Sequence, residues 1–163
     1  MQERPYFCRN ISVMRAVIQR VSRAKVSVNG QPKAEIGPGL CILLGVEKDD
    51  GLADVQWLSH KIVHLRIMDD EKGLMNLSVK DTGGDILLIS QFTLLASTRR
   101  GHRPSYDRAA PPADAEHWYE AMIHQLQTDL GKPIHTGTFR AYMEVELVND
   151  GPVTIYIDSR QKA

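Results

Sequence analysis

The chain has 163 residues, 42% hydrophobic and 25% charged, the size and balance of one ordinary domain with its own core. Its 20 Lys and Arg match its 20 Asp and Glu, so no global charge draws it to nucleic acid, and any such contact must come from a local patch. Two cysteines far apart, Cys8 and Cys41, exclude a disulfide framework and a Cys-rich zinc site and fit a reducing cytoplasm, and no apolar run approaches the ~18 residues of a membrane span.

Residues 1 to 13 show neither a period nor the apolar stretch of a signal peptide, and they read as an extension or a mis-assigned start ahead of a single domain over 14–163. Residues 15 to 28 alternate apolar with polar and are rich in β-branched residues, which predicts a strand. Asn29-Gly30 predicts a hairpin turn, because both positions tolerate positive φ. Strands follow at Lys33 to Ile36 and Leu40 to Val46. The second is apolar on both faces and belongs at the centre of a sheet.

A helix comes next, with Asp49 and Asp50 as caps and Leu52, Val55, Leu58, Ile62 and Leu65 as its apolar stripe. Residues 66 to 82 read as strand and turn about Glu71-Lys72-Gly73, and Asp85 to Ala96 as one long strand. Residues 97 to 112 are polar, basic and proline-containing, hence a loop. Pro111-Pro112 opens a second helix with the stripe Ala115, Trp118, Met122, Leu126 and Leu130, ended by Gly131. Two strands close the chain, Arg140 to Val148 and Val153 to Asp158. Strands in runs with two main helices between them predict an α+β fold on a mixed or antiparallel sheet. No glycine-rich phosphate loop follows a strand, which argues against a doubly wound nucleotide fold.

Three segments carry chemistry. Ser90, Gln91 and Thr93 interrupt an otherwise apolar strand, where an unpartnered buried polar group costs ~1–3 kcal/mol. Strand alternation puts Gln91 and Thr93 on one face, Ser90 and Phe92 on the other. They either pair at a sheet edge or form the floor of a pocket. Arg99, Arg100, Arg103 and Arg108 then crowd ten residues that hold one acid, Asp107: a solvated loop or a phosphate-contacting patch. Asn149-Asp150-Gly151-Pro152-Val153-Thr154 reads by itself as a plain turn. His60 and His64 have the spacing of a metal pair, but they oppose the apolar stripe and lack a third ligand, so no metal is called for. Cys41 inside an apolar strand is a core residue.

Together these segments closely resemble the D-aminoacyl-tRNA deacylase family, formerly called D-tyrosyl-tRNA deacylase. Met14 to Val21 is similar to that family's amino terminus, Ser90-Gln91-Phe92-Thr93-Leu94 to its first signature and Asn149 to Thr154 to its second. Met75 to Val79 and Arg103-Pro104-Ser105 also match, and the likeness runs from Met14 to about Ser159. The resemblance implies a layered β-β-α sandwich paired into a homodimer, without a cofactor, that hydrolyses the aminoacyl ester at the 3′ end of tRNA in the cytoplasm. It implies chiral proofreading, with achiral glycyl-tRNA also accepted. Gly151-Pro152 would be cis and reach into the partner subunit's pocket, with Arg20 and Asn149 in support. Ser90 and Gln91 would position the substrate, and the N–H groups of Phe92 and Thr93 would face the oxyanion. Thr93 is the obvious nucleophile, yet no base stands near it in sequence. The resemblance favours the substrate's ribose 2′-hydroxyl as the activator of water. Arg99, Arg100, Arg103 and Arg108 would meet tRNA phosphates, with neither DNA nor membrane as partner. A hydrolase of small esters is disfavoured by the basic loop, and a noncatalytic tRNA-binding module by the polar insertion at Ser90 to Thr93.

Overall fold

The computed structural model describes residues 13–161; the proposed extension, apart from Val13, and Cys8 lie outside them. Strand β1 (Arg15–Val28) is the organising element. It turns through Asn29 (φ 50°) and Gly30 (φ 80°) into β2 (Gln31–Ile36), then pairs antiparallel with β3 (Gly39–Gly45). The apolar β3 is central as predicted: β1 flanks it on one side and β6 (Asp85–Ser90), parallel to it, on the other. A two-residue β7 (His135–Thr136), not foreseen, extends the sheet beyond β6. The six-stranded mixed sheet, with a small β4–β5 pair (Met68–Asp69, Met75–Leu77), defines an α+β architecture.

Helices α1 (Leu52–His64) and α3 (Pro112–Leu130) cover one face of the sheet. Val55, Leu58 and Ile62 of α1 and Met122, Leu126 and Leu130 of α3 meet Ala16, Ile18, Leu40, Ile42 and Leu44 in the main core. Tyr119 joins them and donates its hydroxyl to the Leu88 carbonyl at 3.0 Å, which satisfies the one polar atom it buries. Pro at N1 and Gly131 at φ 83° end α3 as expected. A second core lies on the opposite face, where Val21, Ala24 and Val26 of β1 meet Ile36, Cys41, Leu87 and Ile89. Burial there pushes the Cys41 thiol up to about 11, so it is an inert core group.

The structure departs from the expected elements at several points. Asp49 and Asp50 do not cap α1. The chain bends at Asp49 (φ 70°), Asp50 turns back to accept the Glu47 N–H at 2.7 Å, and Gly51 becomes the cap residue, its N–H bonded to Asp54 at 2.9 Å. Leu52, at the first helical position, is exposed rather than part of the stripe. A short helix α2 (Val79–Thr82), capped by Ser78, stands where strand and turn were expected. The two closing strands are one, β8 (Met143–Asp158), because β1 is long enough to pair with both halves. The long strand from Asp85 ends at Ser90, for a reason that belongs to the site.

Candidate active site

Ser90 is the last residue of β6 because the neighbouring strand runs out beside it. β3 pairs Leu44 with Ser90 and ends at Gly45; the Gln91 N–H makes the final bond, to the Leu44 carbonyl at 2.8 Å. The chain then tightens into a 3-10 turn, Phe92–Leu95, folded over Gly45. A Cβ on Gly45 would stand 2.6 Å from Leu95 Cδ2 and 3.0 Å from Leu94 Cβ, so the turn packs where only glycine leaves room. The predicted alternation of Gln91 and Thr93 against Ser90 and Phe92 is therefore wrong. Gln91 instead donates its side-chain amide to the Thr93 hydroxyl. The first residues of a 3-10 turn have no partner within it for their N–H groups, so Phe92 and Thr93 present two adjacent donors.

This turn borders an open cavity of about 510 Å³. Ser90, Gln91 and Phe92 form one wall. Ala110 and Ala115 form a second, and Phe139, Tyr142 and Met143 a third. Phe92 and Tyr142 are 54% and 72% exposed, so the cavity has an apolar, unfinished rim. Sequence reasoning missed Phe139 and Tyr142, from the stretch between α3 and β8, and Met143, the first residue of β8; none carries a local signal. His60 and His64 lie on the exposed side of α1, and no group of three or more His, Cys, Asp or Glu among the described residues is arranged for a metal.

The second signature sits elsewhere. In the β1–β8 ladder Gln19 faces Thr154 and Val21 faces Asn149, so Asp150, Gly151, Pro152 and Val153 all stand opposite the single residue Arg20. Excess chain must leave the sheet, and it does so as an exposed bulge with a cis Gly151-Pro152 peptide, as the resemblance implies. Arg20, 7% exposed, holds its base. Its Nε donates to the Asp150 carbonyl at 3.0 Å and its Nη1 to the Ile67 carbonyl at 2.9 Å and to Asp69 at 3.0 Å. Asn149 closes the bulge from within, accepting from the Val153 N–H at 3.0 Å and donating to Thr154 Oγ1 at 2.9 Å. None of residues 149–154 lines the cavity of their own chain.

The basic loop is pinned at its base by reciprocal bonds between Ser97 and Ser105, at 2.8 and 2.9 Å. Arg99, Arg100 and Arg103 project from it into solvent, while Arg108 is held by the buried Glu47. Thus the structure gathers Ser90, Gln91 and Phe92 at one cavity, with Thr93 bonded to Gln91 in the adjoining turn but outside the cavity lining, and Arg20 and Asn149 beneath Gly151-Pro152 at another place.

A mixed sheet backed by two helices, with a polar turn opening onto an apolar cavity, defines a pocket-bearing α+β domain. The profile described as D-Tyr-tRNA(Tyr) deacylase matches residues 17–158. The D-aminoacyl-tRNA deacylases of Bacteroides thetaiotaomicron and Opitutus terrae are each 56% identical over 149 residues, 91% of this chain and 99% of theirs. A solved c-Myc DNA unwinding element binding protein superposes with a TM-score of 0.81 at 40% identity, over 88% of this chain and 97% of its own. A solved structure described as a probable eukaryotic D-amino acid tRNA deacylase shares the fold, with a TM-score of 0.77 at 16% identity over 90% of this chain and 99% of its own. The chain belongs to the D-Tyr-tRNA(Tyr) deacylase family, whose members cleave the ester bond of aminoacyl-tRNA.

Proposed function

We propose that this chain hydrolyses D-aminoacyl-tRNA, and achiral glycyl-tRNA, in the cytoplasm, using a site that two copies of the chain complete together. The observation that carries the reading is the separation of the two signatures. Ser90 to Phe92 border a cavity with an open rim, whereas Gly151-Pro152 project from the sheet and line no part of that cavity. A twofold pair resolves both facts, because each bulge then enters the other copy's cavity. The long β8 supports the pairing: among the described strands it pairs only with β1, and a sixteen-residue open edge invites cover.

In the completed pocket the ester carbonyl lies against the N–H groups of Phe92 and Thr93, which stabilise the developing oxyanion. Ser90 and Gln91 position the substrate. Thr93 is engaged by Gln91, and none of its described contacts is with a base, so the ribose 2′-hydroxyl of the substrate assists the attacking water. The incoming Gly151-Pro152 carbonyls hold the α-amino group and leave no space for an L side chain, while a D side chain points outward. Arg99, Arg100, Arg103 and Arg108 meet the phosphates of the acceptor end.

The test is deacylation of matched D- and L-aminoacyl-tRNA at several salt concentrations. Fast release of several different D-amino acids, slow release of the L forms, and a loss of affinity with salt are expected. Replacing Arg99 and Arg100 by alanine should reduce the salt slope by about one unit per lost phosphate contact. Equal rates for both enantiomers would overturn the reading. A noncatalytic nucleic-acid module would bind with the same salt dependence and release nothing.

A further inference from the structure

A second cleft, of about 340 Å³, opens on the far side of the Phe92–Leu95 turn. Arg15, Leu95, Ala96, Ser97, Thr98, Arg99 and Arg108 line it: three guanidinium groups, two hydroxyls and no acid. Arg15, the first residue of β1, spends one Nη1 bond on the Leu94 carbonyl at 2.8 Å, inside the turn that carries Phe92 and Thr93. Its Nε is buried and has no hydrogen-bond partner among the described residues. Of the nearby acids, Glu47 binds Arg108 through one oxygen and keeps the other buried, and Asp158 binds Arg160 at 2.8 Å while also feeling the Arg15 charge. A half-buried arginine and two exposed ones, around a cleft lined by two hydroxyls and no acid, suit an anion with several acceptor oxygens.

We propose that this cleft seats a phosphate of the substrate's terminal nucleotide, and that Arg15 is its central positioning residue. The inference rests on the deacylase reading of the neighbouring cavity and adds a phosphate subsite to it. The cleft and the cavity share the Phe92–Leu95 turn as a wall, so an adenosine whose 3′-ester faces Phe92 and Thr93 directs its 5′ side past Leu95 toward Arg15. Arg15 grips the turn through Leu94 with the same guanidinium that meets the phosphate. A bound phosphate therefore fixes the turn at the moment its N–H donors are needed. Arg99 and Arg108 close the other sides, as charges on more exposed arms.

The test compares two small esters, 3′-O-D-aminoacyl adenosine with a free 5′-hydroxyl and the same ester carrying a 5′-methyl phosphate. In the wild-type protein the phosphate is expected to raise kcat/KM by about 10- to 100-fold, mostly through KM, the effect of one or two charge-assisted bonds. In Arg15→Met, which keeps the apolar stem, that ratio should fall to about one, and in Arg15→Lys to a value between. A wild-type ratio near one overturns the subsite. An undiminished ratio in Arg15→Met returns Arg15 to a purely structural bond with Leu94. Inorganic phosphate added at the KM of the phosphorylated ester should leave the preference in place, and its abolition would assign the cleft to a free anion instead. If neither ester is cleaved, the deacylase reading fails. The cleft is then judged by titration with adenosine 5′-phosphate against adenosine, where Arg15→Met should erase a preference for the phosphate and a wild-type protein without that preference overturns it.

Discussion

The two signature segments start alike, as polar residues in or at the end of a strand, and end as opposites. At Ser90 the partner strand stops and the chain curls over Gly45 into a turn that walls a cavity. At Asn149 the partner strand continues, four residues stand against one, and the surplus is pushed outward and clamped by Arg20. One segment is a receptor and the other a protrusion. In the proposed site backbone, more than side chain, is the functional surface in both, so the residues most sensitive to change should be those that set backbone position.

The sharpest way to break the comparison is at the protrusion. Arg20→Met should reduce deacylation on the order of 100-fold through misplacement of Gly151-Pro152. It should also cost about 1–3 kcal/mol in urea denaturation, since the Ile67 and Asp150 carbonyls lose their donor. Gly151→Ala should match the activity loss at a smaller stability cost. Gly151 has φ 124°, and a Cβ there would meet Arg20 Nη2 at 2.8 Å. Full activity in either variant would separate the bulge from function.

At the receptor, Gly45→Ala should drive the turn away from β3. An expected cost of ~1–3 kcal/mol and a loss of activity of ~10-fold or more follow, because Leu95 is buried and cannot yield freely. A variant that unfolds cooperatively at the wild-type midpoint would show that the turn does not depend on that glycine.

Thr93→Ala tests the chemistry rather than the scaffold. A loss of less than ~10-fold is expected if backbone donors and the substrate hydroxyl act, against ~10³-fold for a covalent nucleophile. Trapping an acyl-threonine in the wild-type protein would decide for the nucleophile.

The smallest effect concerns the support beside the receptor. Burial pushes Asp50 up to about 7, a change opposed by its bond from the Glu47 N–H and reinforced by Asp54 and Glu47. An acid whose folded-state pKa is raised favours the folded protein in its protonated form. Its contribution is complete below the unfolded value near 4 and is lost as pH rises toward 7. Thermal unfolding of Asp50→Asn, followed from pH 4 to 8, should therefore lose less stability across that window than the wild type. Parallel curves would contradict the assignment.

Much of the fold was legible from local pattern. The Asn29-Gly30 turn, the central apolar β3 and the Pro112-to-Gly131 helix each carry their signal within a few residues. The 3-10 turn was not legible, because Ser90 to Leu95 has strand composition and only the end of β3 at Gly45 stops it from continuing. Nor was the cap of α1, where two aspartates competed and a backbone bend at Asp49 settled the choice.

By itself the sequence determined which residues are apolar, where turns are cheap, and that Ser90 to Thr93 and Asn149 to Thr154 resemble one family's signatures. Register and juxtaposition belong to the tertiary structure alone. Arg20 lies beneath Gly151 because β8 holds four residues where β1 holds one, and Arg15 meets Leu94 because β1 starts beside the turn that ends β6. Such contacts join residues about 80 to 130 positions apart. They are fixed by how strands of unequal length close a sheet around two cores, a property of the whole chain that no local window contains.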